Sequence, residues 1–331
     1  MTTPLVEITD LTKVFHQRKT GDVAILRGID LTIEAGETVC VVGESGCGKT
    51  TFGKILAGLH DYSGGSFKYG GKEVATLSKT DWKPFRRSVQ MIHQNPYESL
   101  NPTKMVFDML AAPLRHHKKI KDFTTLYHET VKLLEMVGLT PVEDFIDKYP
   151  GNLSGGQRQR VSIARVLAMD PQFIVVDEAT SMIDTSMRIS LLTTLKRIQQ
   201  ELHVAYLYIT HDLALGRYFA WGHRIAVMYL GKIIELGPTS DLIGDPCHPY
   251  TKAILSAARL ETDSPYELNN IDIPSFTNIC TGCSLSPRCP QVMPGICDVT
   301  EPQLRDIGNN RKVACHLYAQ DDHNGEASYG K

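Results

Sequence analysis

The sequence predicts an α/β fold in which a mostly parallel sheet is covered by helices on both sides. The segments Phe173–Val176 and Ala205–Ile209 are continuous apolar runs, typical of strands buried on both faces. The segments Gln157–Met169 and Ser186–Leu202 place apolar residues at helical spacing and alternate with those strands. Because β and α segments alternate along the chain, we expect the strands to run parallel.

The N-terminal region adds a small β layer and a strand, loop and helix unit. Partial alternation and β-branched residues predict strands at Leu5–Leu11 and Ala24–Ile33. The apolar strand Glu37–Val42 runs directly into a Gly-rich turn. Lys49–Leu59 then has the apolar spacing of a helix.

The middle and the end of the chain differ from this pattern. From about Val106 to Val137 the apolar spacing predicts a helical insert. From about Glu261 onward the periodicity is lost while Pro and Cys become frequent, which indicates a loop-rich appendage. The polar residues Ala319–Lys331 predict a disordered tail.

Composition restricts the class of protein. With 331 residues and 42% hydrophobic content, the chain is long enough for one large domain plus an appendage and too polar for a membrane bundle. The net charge of -2 gives neither a basic field for nucleic acid nor an acidic excess. Apolar runs are far shorter than the ~20 residues that cross a bilayer, and Met1–Asp10 lacks the layout of a signal peptide. We therefore expect a soluble, cytoplasmic protein.

The Gly-rich turn matches the pattern G-x-x-x-x-G-K-[ST], and its residues are Gly43, Glu44, Ser45, Gly46, Cys47, Gly48, Lys49 and Thr50. Its position between a strand and a helix is the context that this motif requires. Glycines let backbone amides surround a polyphosphate, Lys49 neutralises phosphate charge, and the Thr50 hydroxyl binds magnesium. We include Thr51 in this predicted site for ATP and Mg²⁺. Near Lys49 and a helix start, the Cys47 thiol is expected to have a lowered pKa, but we treat Cys47 as a small residue and not as a catalyst.

Two acids follow the strand Phe173–Val176. Asp177 can hold the magnesium shell, and Glu178 can polarise an attacking water molecule. Together with the Gly-rich turn they predict ATP hydrolysis.

Between these two sites stands Leu153-Ser154-Gly155-Gly156-Gln157, and with it the chain resembles the ATP-binding cassette (ABC) family. The resemblance implies that Ser154, Gly155, Gly156 and Gln157 cap the γ-phosphate of an ATP bound to the opposite subunit. A hydroxyl and amides at a helix start suit that role.

Further positions match the family over roughly Leu5 to Ala258. The resemblance implies that Gln94 contacts magnesium, that His211 hydrogen-bonds the γ-phosphate, and that Phe15 stacks on adenine. Ser181-Met182-Ile183-Asp184 matches the D-loop and keeps Asp184, although the family more often has Ala-Leu at the two middle positions.

One branch of the family is closer: the ATP-binding subunits of dipeptide, oligopeptide and nickel importers. The matching runs are Gln94-Asn95-Pro96-Tyr97-Glu98-Ser99-Leu100-Asn101-Pro102 and His248-Pro249-Tyr250-Thr251, together with the terminal cysteines. His93 and Ala179 depart from the usual aromatic and proline. Peptide is the expected cargo, with oligosaccharide and nickel as alternatives.

The resemblance also implies an organisation and partners. We expect a nucleotide-binding domain over residues 1–260, with an antiparallel β subdomain and a helical subdomain at about 95–160, a Cys-rich region at 261–318 and a tail at 319–331. The subunit would lie peripherally on the cytoplasmic face of the membrane. Its partners would be a second, similar ATPase in a heterodimer, two membrane permease subunits, and indirectly an external binding protein. Tyr97 and Leu100, if exposed, are candidate permease contacts.

Cys283, Cys289, Cys297 and Cys315 match the terminal cysteine pattern of this branch, where it looks like a 4Fe-4S site. Four thiolates also suit a tetrahedral structural zinc ion, and unligated thiols are a third alternative. Cys280 is either a spare or a replacement ligand.

Two other classes are weighed against the importer. A chromosome-associated ABC ATPase needs a long coiled coil between Gln94 and Ser154, and that stretch has no sustained heptads. A P-loop kinase would not need the Ser154–Gln157 signature or His211.

Overall fold

The computed structural model describes residues 3–17, 21–181, 183–258, 266–269 and 274–319. In this described part the strands are β1 (Val6–Gln17), β2 (Gly21–Ile33), β3 (Thr38–Val42), β4 (Gly64–Tyr69), β5 (Lys72–Glu73), β6 (Val89–Ile92), β7 (Phe173–Asp177), β8 (Ala205–Thr210), β9 (Arg224–Tyr229), β10 (Lys232–Pro238), β11 (Arg305–Gly308) and β12 (Arg311–Val313). The helices are α1 (Lys49–Leu56), α2 (Lys79–Ser88), α3 (Val106–His117), α4 (Phe123–Met136), α5 (Gly155–Leu167), α6 (Thr185–Leu202), α7 (Leu213–Phe219), α8 (Thr239–Gly244) and α9 (Pro249–Ala258).

The larger sheet has the strand order β11-β12-β10-β9-β3-β8-β7-β6. Its pairings from β6 to β9 are parallel, and those from β9 to β11 are antiparallel. Strands β3, β7 and β8 are buried along their whole length. Along β7, Phe173 and Val175 pack into one hydrophobic core while Ile174 and Val176 pack into another on the opposite face. The predicted parallel sheet buried on both faces is confirmed.

The second sheet is antiparallel, with the order β2-β1-β4-β5. It is the predicted small β layer, and its first two strands are longer than the sequence indicated. Strand β1 extends to Gln17, beyond the predicted end at Leu11, and carries Phe15 opposite Val23 of β2.

The helical insert consists of α3 and α4, which pack against each other and against α5. Their shared core contains Leu110, Leu114, Leu126 and Leu134, all fully buried. This apolar face is the one that the spacing from Val106 to Val137 predicts. Among the described residues, no helix is both long enough and apolar enough to cross a membrane.

The C-terminal segment, which we define as residues 274–319, is more ordered than the sequence suggested. Strands β11 and β12 form a hairpin, and β12 pairs with β10 to extend the larger sheet. The hairpin turns at Asn309 and Asn310, with φ of 54° and 57°, the conformation that tight hairpin turns need. The sequence missed these strands because their residues are mostly charged and lack apolar alternation. The tail expected at 319–331 lies outside the described residues from 320 onward.

Candidate functional site

The Gly-rich turn connects β3 to α1 and closes on itself. Lys49 is buried, and its Nζ donates hydrogen bonds to the carbonyl oxygens of Gly43 and Glu44 at 2.7 and 2.8 Å. A Cβ on Gly43 would lie 2.2 Å from the Met228 carbonyl oxygen, so only glycine fits there. Gly48, with φ of 106°, begins α1 in a conformation that other residues rarely adopt. The turn therefore holds a lysine ammonium beside the start of α1, and a cation next to a helix N-terminus suits phosphate.

A hydroxyl and a carboxylate meet beside this turn. Thr50 Oγ1 donates to Asp177 Oδ1 at 3.1 Å, although the two residues are distant in sequence. Burial raises the pKa of Asp177, while the hydrogen bond from Thr50 and the charges of Lys54 and Lys49 act in the opposite direction. These oxygens are hard ligands of the kind that Mg²⁺ prefers, so the predicted residues fit this ion. Thr51 is half-buried in the first turn of α1.

Glu178 lies at the carboxyl end of β7 and is held by residues that follow two neighbouring strands. Gln94, after β6, donates from Nε2 to Glu178 Oε2 at 3.2 Å. His211, after β8, places Nδ1 3.1 Å from Glu178 Oε1. Because the carboxyl ends of parallel strands meet at one edge, three separate sequence motifs converge. The backbone of Glu178 has φ of 44°, a sparsely populated conformation that is common at functional sites.

The signature residues lie elsewhere, at the start of α5. Ser154 accepts a hydrogen bond from the Gln157 amide at 3.3 Å, and its own amide donates to Gln157 Oε1 at 2.9 Å. This capping box leaves Ser154 exposed, with Gly155 and Gly156 half-buried in the first helical turn. Within the described residues, no hydrogen bond joins this group to the Gly-rich turn.

The remaining predicted residues occupy separate positions. Phe15 is half-buried in the smaller sheet, edge-on to His60, with Lys13 Nζ 4.9 Å from its ring centre. Asp184 is exposed at the N-terminus of α6. Met182 of the predicted D-loop lies outside the described residues.

Two expectations about single residues change. Burial raises the pKa of the Cys47 thiol and outweighs the nearby Lys49 ammonium, so the expected lowering was wrong. Of the two candidate permease contacts, Tyr97 is exposed, whereas Leu100 is buried in the hydrophobic core and unavailable to a partner.

The four terminal cysteines line one small cavity beneath His248 and Pro249; they are Cys283, Cys289, Cys297 and Cys315. Burial raises the pKa of Cys283 to about 12 and that of Cys315 to about 11. Cys280 instead contacts the Cys283 carbonyl oxygen through its Sγ at 3.1 Å. Across the described residues, however, no group of three or more His, Cys, Asp or Glu is arranged to hold a metal ion. The donor type suits a cluster or zinc, but the described residues do not form a preformed metal site.

Sequence reasoning missed two residues that contact the Gly-rich turn. Tyr250 accepts a hydrogen bond from the Glu44 amide at 3.1 Å, and Arg288 forms an ion pair with the Glu44 carboxylate. Tyr250 belongs to the motif His248-Pro249-Tyr250-Thr251, which marks the importer branch but gave no role for its members.

Comparison with known proteins agrees with this geometry. Residues 26–181 match the family model described as ABC transporter, and residues 234–297 match that of the oligopeptide/dipeptide transporter C-terminal region. The chain is 40% identical over 320 residues to the putative oligopeptide transport ATP-binding protein YkfD of Bacillus subtilis, covering 95% of this chain and 96% of that protein. It is 36% identical over 327 residues to the dipeptide transport ATP-binding protein DppF of Escherichia coli, covering 96% of each.

Among solved structures, the ATP-binding cassette MJ0796, a dimer in a post-hydrolysis state with ADP and Pi, superposes with a TM-score of 0.64. The two sequences are 26% identical, and the match covers 71% of this chain and 98% of that one. The converging motifs, the two family matches and the full-length relatives lead to one conclusion: the chain belongs to the ABC transporter family and is an ATP-hydrolysing, ATP-binding subunit.

Proposed function

We propose that the subunit energises the uptake of di- or oligopeptides from the cytoplasmic face of the cell membrane. The relatives with peptide names match almost the whole chain, including the C-terminal region that distinguishes this branch. The observation that carries the motor role is the Glu178 carboxylate, with one oxygen bonded to Gln94 and the other to His211.

In the proposed reaction, Lys49 exchanges the Gly43 and Glu44 carbonyls for the β- and γ-phosphate oxygens of ATP. Thr50, Asp177 and Gln94 are the residues that would hold Mg²⁺, which neutralises phosphate charge when bound. Glu178 accepts a proton from water as the water oxygen attacks the γ-phosphorus and the bond to ADP breaks. His211 hydrogen-bonds the γ-phosphate, and Phe15 contacts adenine.

The site is proposed to be completed by a second, similar cassette in a heterodimer. Ser154 and Asp184 are exposed at helix starts, and within the described residues neither forms a hydrogen bond with the Gly-rich turn. Such positions suit groups that act on an ATP bound to a neighbour. A P-loop kinase completes its ATP site within one chain and has no use for such exposed groups. Their presence therefore favours a paired cassette over a kinase.

The permease subunits are proposed to dock at a groove of about 800 Å³ between the larger sheet and the helical insert. Its lining includes His93, Glu98 and Asn101 from the segment after β6, and Asp108 and His116 from α3. The same segment carries Gln94, which hydrogen-bonds Glu178. A partner bound in the groove would therefore shift the position of Gln94 relative to Glu178. Tyr97, in the same segment, is exposed and stacks under the Arg158 guanidinium.

The four cysteines are proposed as a structural metal site, with a 4Fe-4S cluster and zinc as the alternatives. Support comes from their common cavity and soft donor atoms. Anaerobic purification followed by iron, sulfide and zinc analysis tests this. One cluster or one zinc per chain supports the site, and a protein free of all three overturns it.

The function is tested with Glu178→Gln in the complex with the partner cassette and the two permease subunits, reconstituted in vesicles together with the external binding protein. We expect ATP turnover to fall about 10²- to 10⁴-fold, because the variant cannot accept the proton. Peptide uptake should fall in parallel while ATP still binds. Unchanged turnover would refute the role of Glu178, and uptake of oligosaccharide or nickel in place of peptide would identify the alternative cargo. ATP turnover that needs duplex DNA would refute the transport role altogether.

A further inference from the structure

Arg288, in the C-terminal segment, reaches the Gly-rich turn across 244 positions of sequence. Its Nη1 and Nη2 donate to the two Glu44 carboxylate oxygens at 3.0 and 3.1 Å. The side chains of Arg288 and Glu44 are 11% and 25% exposed. A two-bond pair of this kind fixes both direction and distance, and partial burial strengthens it.

Glu44 is held at all three of its polar groups. Arg288 binds its carboxylate, Tyr250 accepts from its amide at 3.1 Å, and Lys49 donates to its carbonyl at 2.8 Å. Two of these groups, Arg288 and Tyr250, also pack around Tyr229, whose ring centre lies 4.9 Å from that of Tyr250. Glu44 of the Gly-rich turn is thus fixed by residues from outside the turn as well as by Lys49.

The C-terminal segment does not need Arg288 to remain attached. Arg27 of β2 bonds to Ser284 at 2.8 Å and to Glu301 at 2.6 Å, and Lys232 bonds to Glu301 at 2.7 Å. Strand β12 also pairs with β10. Because these other contacts attach the segment, we infer that the contact between Arg288 and Glu44 has a further role, in positioning the Gly-rich turn.

We propose that Arg288 is a positioning residue for nucleotide binding, through which the C-terminal segment sets the shape of the phosphate-binding turn. This inference rests on the proposed ATP site at Gly43 to Thr50. By holding the Glu44 side chain, Arg288 keeps the Glu44 carbonyl and the following amides in the geometry that accepts a polyphosphate. Pro274 to Phe276 approach the same turn, across a cavity of about 260 Å³.

The test compares Arg288→Met with Arg27→Met in the full chain. Both variants remove one arginine that joins the C-terminal segment to the rest of the chain, but only Arg288 contacts Glu44. Affinity is measured by titration with a fluorescent ATP analogue and Mg²⁺, and stability by thermal unfolding without nucleotide. We expect about tenfold weaker binding for Arg288→Met, equivalent to the loss of one charge-assisted contact. Arg27→Met should bind within about twofold of the parent, since it alters only attachment.

Two further variants separate geometry from charge. Arg288→Lys keeps the charge but not the two-bond fork, and we expect it to recover only part of the affinity. Adding Glu44→Gln to Arg288→Met should weaken binding no more than either change alone, because the two residues act as a pair.

The proposal is overturned if Arg288→Met and Arg27→Met weaken nucleotide binding equally, or if Arg288→Met lowers only the unfolding temperature. Lys49→Ala, measured alongside, distinguishes the two levels of inference. If Lys49→Ala retains full affinity, the ATP site itself is wrongly placed and both proposals fail. If affinity is lost in Lys49→Ala but kept in Arg288→Met, only the role of Arg288 fails.

Discussion

Glu178 has a strained backbone conformation, and hydrogen bonds hold both its backbone and its side chain. Its carboxylate is bonded at both oxygens, its amide donates to the Ile209 carbonyl at 3.0 Å, and its carbonyl accepts from Ser181. These contacts hold a non-glycine residue at φ of 44°. Backbone strain of this kind costs about 1–3 kcal/mol and persists only where the surroundings enforce it.

Two glycines of the Gly-rich turn are required for different physical reasons. A Cβ at Gly43 would overlap the Met228 carbonyl oxygen, whereas at Gly46 it would meet nothing within 4 Å but would sit at φ of 81°. We expect Gly46→Ala to lower the unfolding free energy by about 1–2 kcal/mol, the cost of the left-handed conformation. Gly43→Ala should lower the unfolding free energy by more, because the backbone at Met228 would have to move to make room for the Cβ. Urea unfolding of both variants tests this order, and equal losses would contradict it.

His248 predicts a pH dependence of stability. Burial lowers its pKa to about 3, and its Nδ1 accepts a hydrogen bond from the Tyr250 amide. Below its ordinary pKa of 6.5, the unfolded chain binds a proton that the folded chain excludes, so stability falls as pH falls. Between pH 7 and pH 5 we expect a loss of about 2 kcal/mol. Urea unfolding at the two pH values measures it, and His248→Gln should flatten the dependence. An unchanged slope in that variant would assign the effect to other groups.

The contacts that sequence reasoning found and missed differ in how local they are. The turn from Gly43 to Thr50 and the pair Asp177 and Glu178 follow apolar strands directly, so their placement depends on neighbouring residues alone. The bonds of Glu44 to Tyr250 and Arg288 span 206 and 244 positions. No local pattern encodes such distances, and an arginine in a loop-rich segment has many possible partners.

At the scale of elements, the start of α5 serves both stability and the proposed partner contact. Ser154→Ala removes the N-cap and should lower the unfolding free energy by about 1 kcal/mol. Asp122→Ala is a matched control, because Asp122 caps α4 by accepting from the Thr125 amide at 2.8 Å. We expect similar losses of stability in both variants, with ATP turnover of the assembled transporter reduced only by Ser154→Ala. If both variants lower ATP turnover equally, Ser154 acts only as a helix cap and not as a contact to ATP on the partner.

Most predicted elements have strong apolar patterns, although the apolar strands β9 and β10 are not among the predictions. Elements with weak patterns are missed. Helices α3 to α6 and strands β3, β7 and β8 all bury an apolar face, which the spacing of their residues discloses. Helix α2 has Phe85 as its buried residue and Pro84 inside it, and the β11–β12 hairpin is mostly charged. Tertiary contacts, more than local preference, determine whether such segments form helices or strands. Sequence patterns alone therefore do not predict them.

For the molecule as a whole, the proposed ATP site draws on residues from two separate parts of the fold. The Gly-rich turn, Asp177 and Glu178 lie at the carboxyl edge of the parallel strands, while Ser154 begins a helix of the helical part. In the proposed pairing, a single chain would present one half-site and the complement of another. ATP would bind the associated pair more tightly than it binds a separate cassette. This difference in binding free energy is the amount by which ATP would stabilise the pair.

This arrangement predicts ATP-dependent association of cassettes. Glu178→Gln should retain ATP and accumulate as a pair when mixed with its partner cassette and Mg²⁺, because hydrolysis no longer separates the two. Light scattering after size-exclusion chromatography measures the mass with ATP, with ADP and without nucleotide. Adding Ser154→Arg should abolish the pair, since an exposed arginine would block the γ-phosphate contact, whereas adding Asp122→Ala should preserve it. Association that is independent of ATP, or that survives Ser154→Arg, would mean that the two half-sites do not share a nucleotide.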